Sequence, residues 1–411
     1  MAVALMNVKL NWETCPPELL WIIYKNLDYR SLKNCITVNR RWNDVAIDYI
    51  KFYDLWPKLV LEGMTNMGNT FQRKSRLSWR YIVINSILWS YVVSAHIECC
   101  AMYEVKNFRT MHIYKDILMV KMENTVMYFN KDFCATRCYE TAPQDIDWVE
   151  NDFMRIVMKL PIHRELNTYQ LRLYGKIKSD DTGYKSEYRV MDDVVLYKLE
   201  DDMCYVVTGR NTVWSHKWNW DNWELQLRGR FYGNTVDTIQ ALHVYNNKVS
   251  MVTKYGTILC EDPESKRFVK EVDYGVYSLN WVLFNMSDAA VSVPIDSTRR
   301  RIRRKLSSNH IMLECAEMTC ATEHGDVLFL GFNDGVIAIC RSENMRVPSR
   351  KYRPELYLRL KDIDKNIKYP KVLAIEVFED KLSHHIFIAV PNKIIHLLFT
   401  YPLNITEVLE Q

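Results

Sequence analysis

The chain has 411 residues and a formal net charge of +4 at pH 7, with 48% apolar, 12% aromatic and 25% charged residues. This composition is typical of a packed globular protein of two or three domains and excludes a disordered chain. The small net charge argues against the strongly basic surface that non-specific nucleic-acid binding requires, so nucleic acid is not an expected partner.

The 11 cysteines are scattered, and the close pairs, Cys99 with Cys100 and Cys134 with Cys138, do not lie in the four-ligand frame of a zinc site. We therefore expect free thiols in a reducing compartment, with no metal and no cofactor. Residues 1–10 lack the basic leader of a secretory signal. We expect a cytoplasmic or nuclear protein, or one present in both compartments, without a membrane segment.

Three short helices are predicted near the N-terminus. The first starts near Pro17, because a proline in the first turn lacks only an N–H that has no intrahelical partner, and Thr14 can cap it. Asp28 and Ser31 are both competent caps for a second helix, and the third carries Trp42. Apolar residues surround the first helix on nearly all sides, namely Leu19, Leu20, Trp21, Ile22, Ile23, Tyr24 and Leu27.

This helical unit is close to the ~40-residue size below which chains rarely fold alone, so another structure has to cover part of its apolar surface. The cover is either the next domain of the same chain or a separate protein. The apolar pattern alone does not choose between these two.

The spacing of the residues in this unit follows a known pattern. In chain order the residues are Cys15-Pro16-Pro17-Glu18-Leu19-Leu20, Ile23-Tyr24, Leu27, Leu32, Val38, Arg40-Arg41-Trp42 and Leu55-Trp56. The pattern resembles the F-box, a helical module that docks substrate receptors onto the Skp-family adaptor of cullin-RING ubiquitin ligases. Cys15, Tyr24 and Asn39 depart from it, since the family usually has Leu, Phe and Cys at these positions.

The resemblance covers about the first 56 residues and implies an adaptor-binding surface, with a cullin and a RING subunit as further partners reached through the adaptor. Family members build the interface and its supporting core from positions that match Pro16, Leu19, Leu20, Ile23, Tyr24, Leu27, Leu32, Val38 and Trp42. The sequence does not separate interface from core. On this basis, a double change of Leu20 and Ile23 is expected to abolish adaptor capture.

A linker is predicted between the F-box-like region, placed at 11–56, and a β domain, placed at 96–411. The linker, 57–95, begins with a polar stretch after Pro57. It then has the segment Ser78-Trp79-Arg80-Tyr81, followed by Trp89, which is similar to the connection between F-box and propeller in WD-repeat members of the family.

The β domain is predicted from short apolar or alternating runs separated by turn residues. Tight turns followed by a β-rich strand recur at Asn124–Tyr128, Asn211–Trp214, Gly256–Cys260, Asp334–Ile339 and Asn392–His396. An apolar strand precedes each of them, at Ile117–Val120, Met203–Val207, Lys248–Val252, Val327–Leu330 and Ile386–Val390. These segments predict five hairpins.

Equivalent positions in the five turns are separated by 87, 45, 79 and 57 residues. With intermediate repeats near 169–174 and 291–295, the series approaches the ~40 to 45 residues of a four-stranded propeller blade. The predicted fold is therefore multidomain, α then all-β: a three-helix F-box, a short helical linker and a divergent β-propeller of about seven blades. Six or eight blades stay open, as does a β-sandwich, where short strands also recur.

Two segments of the β domain are weak candidates for binding a target. Residues 214–223 hold four tryptophans, of which Trp218 and Trp220 would share one face of a strand. These two rings would either anchor a bound peptide or fill the gap between neighbouring blades, and we favour the second role. Residues 299–305 hold six cations in seven positions, which suits nuclear import, an anionic partner or a solvated loop equally. The arginines of this run are Arg299, Arg300, Arg301, Arg303 and Arg304.

The sequence has no Gly-x-Ser-x-Gly elbow, Gly-rich phosphate loop or His-Glu-x-x-His frame, and His384 and His385 would point to opposite faces of a strand. We therefore expect a non-catalytic subunit: the substrate receptor of an SCF-type E3 ubiquitin ligase, whose F-box binds the adaptor and whose propeller binds a target protein. Two alternatives stay open. One is a module or decoy that captures the adaptor without ubiquitin transfer, and the other is a propeller enzyme or scaffold with no ligase role.

Overall fold

The computed structural model describes residues 12, 15–63, 77–160, 168–177, 183–232, 239–245, 248–253, 257–273, 304–305, 312–313, 318–324, 327–341, 355–368, 370–402, 406 and 409. A short N-terminal helical region comes first, and a large all-β region with several sheets follows it. This order of helical and β regions confirms the coarse prediction from the sequence.

The helical region is built by local signals. Asp28 caps α2 by accepting a hydrogen bond from the Ser31 amide at 2.6 Å. Asn39, which departs from the F-box pattern, caps α3 by accepting from the Trp42 amide at 2.9 Å. The helices are α1 (Pro17–Lys25), α2 (Tyr29–Cys35), α3 (Arg40–Phe52), α4 (Trp56–Gly63) and α5 (Trp79–Leu88), and a 3₁₀-helix (Trp89–Ser94) continues α5.

One apolar core joins these helices. Leu20, Leu32 and Ile50 of α1, α2 and α3 are buried together with Leu59 of α4. Helix α5 and the C-terminal end add the buried residues Ile82, Val83, Ile84, Ile87, Leu88, Tyr401 and Leu409. The start of the predicted linker is therefore helical rather than irregular, and it packs with the F-box-like helices.

The β region consists of antiparallel meanders. The first sheet has β2 (Phe108–Tyr114), β3 (Ile117–Met122), β4 (Thr125–Phe129) and β5 (Ala135–Glu140). The second sheet has β6 (Asp145–Glu150), β7 (Met154–Lys159), β8 (Tyr169–Lys176) and the first part of β9 (Tyr184–Glu200).

Strand β9 belongs to two sheets. Its residues up to Val194 pair with β8, and those from Val194 onward pair with β10. Asp193, at the change of partner, has a positive φ of 62°. The third sheet therefore comprises the end of β9, β10 (Met203–Thr208), β11 (Thr212–Trp218) and β12 (Trp223–Arg230).

The remaining sheets follow in chain order. The fourth has β13 (Ile239–Tyr245), β14 (Lys248–Thr253), β15 (Thr257–Asp262) and β16 (Arg267–Asp273). A two-stranded ladder of β17 (Arg304–Lys305) and β18 (Met312–Leu313) precedes the fifth sheet. The fifth has β19 (Met318–His324), β20 (Val327–Phe332), β21 (Val336–Arg341) and β22 (Leu356–Arg359), with helix α6 (Leu360–Ile363) after it.

The last sheet joins the two ends of the β region, and we call it the closing sheet. It has the order β1-β25-β24-β23, with β1 (His96–Glu104), β23 (Ala374–Glu379), β24 (Ser383–Val390) and β25 (Lys393–Thr400). Tyr103 of β1 lies opposite Ile394 of β25. A strand that follows the helices thus completes a sheet whose other three strands come from the C-terminal end.

The five predicted hairpins are confirmed as β3-β4, β10-β11, β14-β15, β20-β21 and β24-β25. Asn211 and Gly335 supply the positive φ values of 58° and 81° in two of the connecting turns. The repeat predicted near 169–174 is strand β8, whereas the one near 291–295 lies outside the described residues.

Apolar clusters lie between neighbouring sheets. They fill the spaces between the fifth and closing, closing and first, first and second, second and third, and third and fourth sheets. A strand between two such clusters is therefore buried on both faces. In β24, Ile386 and Ile388 face one cluster while Phe387 and Ala389 face another. Trp89 of the 3₁₀-helix enters the cluster between the fifth and closing sheets and so connects the helical region to them.

Candidate functional site

Part of the F-box-like signature forms the core of the helical unit. Leu20, Tyr24 and Leu32 are 0%, 1% and 2% exposed. The Tyr24 hydroxyl donates to the Trp42 carbonyl oxygen at 3.1 Å, and burial raises the pKa of this tyrosine. These three side chains support the fold and have almost no surface to offer a partner.

Another part of the signature lies on the surface. Leu19, Ile22 and Val38 are 46%, 60% and 56% exposed, Pro16 is exposed, and Ile23 is half-buried. Leu19, Ile22 and Ile23 are three and four positions apart and therefore lie on one side of α1. We call these three residues the α1 face.

Trp42 and Leu27, the other two predicted positions, are half-buried and pack against the helical core. The indole N–H of Trp42 donates to the Trp12 carbonyl oxygen at 3.1 Å, and the two rings meet edge-to-face at 6.3 Å. Arg41 Nε donates to the Cys15 carbonyl oxygen at 3.0 Å. Helix α3 thus holds the segment that precedes α1 in place.

The structure separates exposed from buried positions of the signature, which the sequence could not do. Ile22 was missed among the predicted F-box positions, although its place three residues after Leu19 is a usable signal. The predicted double change of Leu20 and Ile23 mixes a fully buried residue with a half-buried one. A loss of adaptor capture in that variant would not distinguish a lost contact from a lost fold.

The two candidate tryptophans do not share a strand face, so this prediction was wrong. Strand β11 ends at Trp218, and Trp220 lies in the following turn with a φ of 76°, against Phe153. Trp218 is 2% exposed, its indole N–H donates to the Lys176 carbonyl oxygen at 2.9 Å, and its ring lies over Gly175. Trp218 therefore fills the space between the second and third sheets and is not an anchor for a peptide.

Most of the basic run lies outside the described residues. Arg304 is in strand β17, where its backbone pairs with Leu313 of β18. The roles considered for Arg299, Arg300, Arg301 and Arg303 stay predictions.

The adjacent histidines point to opposite sides of β24, as predicted. His384 stacks on Trp89 with ring centroids 3.8 Å apart, and its Nδ1 is hydrogen-bonded to the Tyr401 hydroxyl at 2.6 Å. His385 Nδ1 lies 2.8 Å from His396 Nε2 on the other side. Burial lowers the pKa of both His384 and His385, which favours neutral rings in the two packed layers.

A polar cluster that sequence reasoning missed joins three sheets. Asp147 of β6 accepts hydrogen bonds from His112 Nε2 at 2.8 Å, from the Thr110 hydroxyl at 2.7 Å and from the Tyr197 hydroxyl at 2.7 Å. Burial alone would raise the pKa of Asp147, but the His112 charge and the hydrogen bonds outweigh it and lower this pKa. Burial would likewise lower the pKa of His112, but Asp147 raises it.

A second polar cluster lies between the first and second sheets. Arg155 Nε donates to Glu150 Oε1 at 2.5 Å, and the Tyr184 hydroxyl donates to Glu150 Oε2 at 3.1 Å. The guanidinium of Arg155 lies 4.0 Å from the Tyr184 ring centroid and 4.6 Å from that of Trp148. The Tyr128 hydroxyl of β4, in the first sheet, also donates to Glu150 Oε1. This ion pair is almost enclosed by aromatic rings and is bonded to both sheets, so it holds the two sheets together rather than offering a free charge.

Three further observations describe the chemistry available to the chain. Burial raises the pKa of the Cys35 thiol to about 11 and that of Cys320 to about 12, which keeps both thiols protonated. Within the described ranges, no set of three or more His, Cys, Asp or Glu side chains is arranged to hold a metal ion. None of the described helices has the length and apolar character needed to cross a bilayer.

No protein-family model matches this sequence, and no curated protein matches it. Among solved structures, the chain is similar to the computationally designed Ika8 protein, with 10% identity, a TM-score of 0.42, and coverage of 72% of this chain and 96% of that one. It is also similar to Hsv2 of Kluyvelomyces marxianus, with 8% identity, a TM-score of 0.31, and coverage of 70% and 77%. Both scores are too low to carry an argument about this chain.

Proposed function

We propose that this protein is the substrate-recognition subunit of an SCF-type E3 ubiquitin ligase. In this proposal the helical unit is an F-box that binds a Skp-family adaptor, through which a cullin and a RING subunit are recruited. The β region is a divergent propeller of about seven blades that binds the target protein. The chain contributes proximity, because holding the target near a charged ubiquitin-conjugating enzyme replaces a bimolecular encounter.

The observation that carries the proposal is the uneven burial of the F-box-like signature. Leu20, Tyr24 and Leu32 are in the core, while the neighbouring α1 face and Val38 are open to solvent. Helix α5 and the C-terminal end already cover another side of the same unit. Apolar residues left exposed on a folded unit are typical of a surface that binds another protein.

The sheet topology supports the propeller part of the proposal. Four-stranded meanders follow one another in chain order, and among the described residues every neighbouring pair of sheets except the fourth and fifth shares an apolar cluster. The pairing of β1 with β25 joins the two ends of the β region, which removes a free sheet end in the way that a ring of blades requires.

The test is a comparison of two surface variants in affinity capture from cells with the proteasome inhibited. Leu19→Asp together with Ile22→Asp places two charges on the α1 face and is expected to reduce recovery of adaptor and cullin at least about 100-fold. Leu225→Asp on β12 is the matched control, because Leu225 is 48% exposed and Leu19 is 46% exposed. Circular dichroism of both purified variants should equal that of the wild type.

Equal recovery of the adaptor by the α1-face variant and the wild type would reject the proposal. Proteins that both variants retain are candidate targets. A reconstituted ubiquitin-transfer assay on those proteins then separates a ligase subunit from a decoy, since a decoy captures the adaptor without transfer.

A further inference from the structure

The connection between the fifth sheet and the closing sheet carries an excess of positive charge. Residues 359–371 lead from the end of β22 through helix α6 towards the start of β23. They hold five cations and two carboxylates. We call residues 359–371 the cationic loop, and its cations are Arg359, Lys361, Lys365, Lys368 and Lys371.

Both ends of the cationic loop are attached at the same turn, which keeps its cations close together. The Leu360 amide donates to the Gly335 carbonyl oxygen at 2.9 Å, and the Val372 amide donates to the Phe332 carbonyl oxygen at 3.1 Å. Leu360, Ile367 and Val372 are buried in the apolar cluster between the fifth and closing sheets. The fold therefore fixes the shape of the loop, so binding a partner does not require the loop to become ordered first.

The cations of the loop are exposed and are not neutralised by their surroundings. None of the ion pairs among the described side chains includes any of the five. Of the two carboxylates, Asp364 is paired with Lys393 of β25 at 3.0 Å, while Asp362 is exposed. Beside Lys393, the exposed Glu104 and Lys106 carry opposite charges. The balance at this end of the two sheets is therefore clearly positive.

The kind of cation indicates which anion fits. Four of the five are lysines, whose ammonium groups are separate point charges, whereas the fork of an arginine is better suited to a single phosphate group. Several carboxylates spread along an extended chain match several separate ammonium groups. Like charges held together repel one another, so the stability of the fold does not account for this group of cations.

We propose that the cationic loop binds a carboxylate-rich segment of a partner protein. The lysine ammonium groups pair with Asp and Glu side chains of that segment, and the opposite charges also speed the encounter of the two proteins. Each exposed charge pair contributes little in water, so binding requires several pairs at once and weakens as salt is added. The inference rests on the proposed function only in identifying that partner as the target.

The experiment measures binding of fluorescent ten-residue peptides to the full chain by fluorescence anisotropy. The probe alternates Glu and Ser; one matched peptide has Gln for every Glu, and another is that Gln peptide with a phosphate on one central Ser. An oligonucleotide of ten deoxythymidines represents nucleic acid. We expect the Glu-Ser peptide to bind most tightly and the Gln peptide at least about 10-fold more weakly, because it offers no negative side chain. Raising the salt concentration from about 50 mM to about 500 mM should weaken binding of the Glu-Ser peptide about 10-fold.

Charge-reversed proteins test whether the loop itself is the site. Lys365→Glu with Lys368→Glu should weaken binding of the Glu-Ser peptide at least about 10-fold, whereas Lys365→Arg with Lys368→Arg should retain it. Lys51→Glu with Arg210→Glu, at exposed positions of α3 and of the turn after β10, is the matched control. It changes the net charge by the same amount and should weaken binding less than about 3-fold.

Zero-length cross-linking locates the bound peptide. A carbodiimide joins a carboxylate to a neighbouring lysine as an amide, and mass spectrometry then identifies the lysine. We expect the Glu-Ser peptide to be joined mainly to Lys361, Lys365, Lys368 and Lys371.

Absence of Glu-Ser binding at roughly 1 mM would overturn the inference. Equal weakening by the loop variant and its control, or cross-links mainly to lysines outside the loop, would do the same. Tighter binding of the phosphorylated peptide or of the oligonucleotide would exclude a carboxylate-rich segment as the preferred partner. The assay contains no adaptor, so its failure does not affect the adaptor proposal. Conversely, loss of the adaptor proposal would leave the peptide result standing and change only the identity of the partner.

Discussion

The helical unit and the β region use their apolar residues differently. In the β region, a strand such as β24 is buried on both faces, with Ile386 and Ile388 in one cluster and Phe387 and Ala389 in the next. In the helical unit, α1 is apolar on nearly all sides, but Leu20 and Tyr24 are buried while Leu19 and Ile22 are open to solvent.

The difference shows that an apolar run on its own does not reveal how many faces are covered. In a sheet between two sheets, a continuous apolar run means burial on both faces. In a short helix at the end of a chain, the same composition can leave a surface such as the α1 face for another protein. Four changes, ordered from the largest expected effect to the smallest, examine this contrast.

The strongest test of two-sided burial in the β region is Trp218→Ala. Removing this ring from between the second and third sheets should lower the free energy of unfolding by about 4 kcal/mol, as for other large-to-small changes of buried aromatics. Trp220→Ala, in the turn after the strand, should cost about 1 kcal/mol or less. Urea denaturation followed by circular dichroism measures both, and equal costs would contradict the assignment of Trp218 to the core.

Gly175 offers a check on the same contact. A Cβ at this position would lie 2.3 Å from the Trp218 ring, so Gly175→Ala should destabilise the wild type. In the Trp218→Ala background this cost should largely disappear, because the ring that causes the clash is absent. Additive costs of the two changes would show that the ring does not occupy the space over Gly175.

Asp147→Asn tests whether polar contacts add to the apolar packing between sheets. The change keeps the shape of the side chain but weakens the bonds from His112, Thr110 and Tyr197, so we expect a loss of about 2 kcal/mol. Chemical denaturation at pH 6 measures it.

The pH dependence of this loss follows from the two shifted pKa values. The lowered pKa of Asp147 gives a contribution that is present above the ordinary carboxyl pKa of 3.8 and lost as the pH falls. The raised pKa of His112 gives one that is full below the ordinary value of 6.5 and lost as the pH rises. The difference between wild type and Asp147→Asn should therefore be largest between about pH 4 and pH 6.5 and smaller on either side. A difference independent of pH would exclude an ionised pair.

Local signals explain what could be predicted from the sequence. Each of the five hairpins depends on a turn and the two strands next to it. Asp28 caps α2 through a hydrogen bond from Ser31, which is only three residues away in the sequence. The pairing of β1 with β25 joins residues such as Tyr103 and Ile394, which are far apart in the sequence, and it leaves no local signal.

The candidate sites were harder to predict because the exposed and the buried residues are of the same type. Leu19 and Leu20 are adjacent leucines in one apolar helix, but only Leu20 lies in the core that α1 shares with α3. Trp218 and Trp220 differ because β11 ends between them and because Gly175 leaves room for one ring. The Asp147 cluster brings together three strands, whose positions depend on the complete sheet order.

Tyr401→Phe examines the junction between the two regions and has the smallest expected effect. Tyr401 packs in the helical core, while its hydroxyl is hydrogen-bonded to His384 of the closing sheet, which stacks on Trp89. Removing the hydroxyl leaves His384 Nδ1 buried without this partner, so we expect a loss of about 1 kcal/mol. Tyr232→Phe, at a tyrosine that is 71% exposed, should have no measurable effect.

The distribution of this loss is more informative than its size. Hydrogen exchange followed separately in α1–α5 and in β23–β25 gives the opening free energy of each region. If the junction makes the two regions one cooperative unit, Tyr401→Phe should lower both opening free energies by the same amount. If only the opening free energy of the closing sheet falls, the helical unit opens independently of the β region. In that case the β region does not fix the orientation of the helical unit and its exposed α1 face.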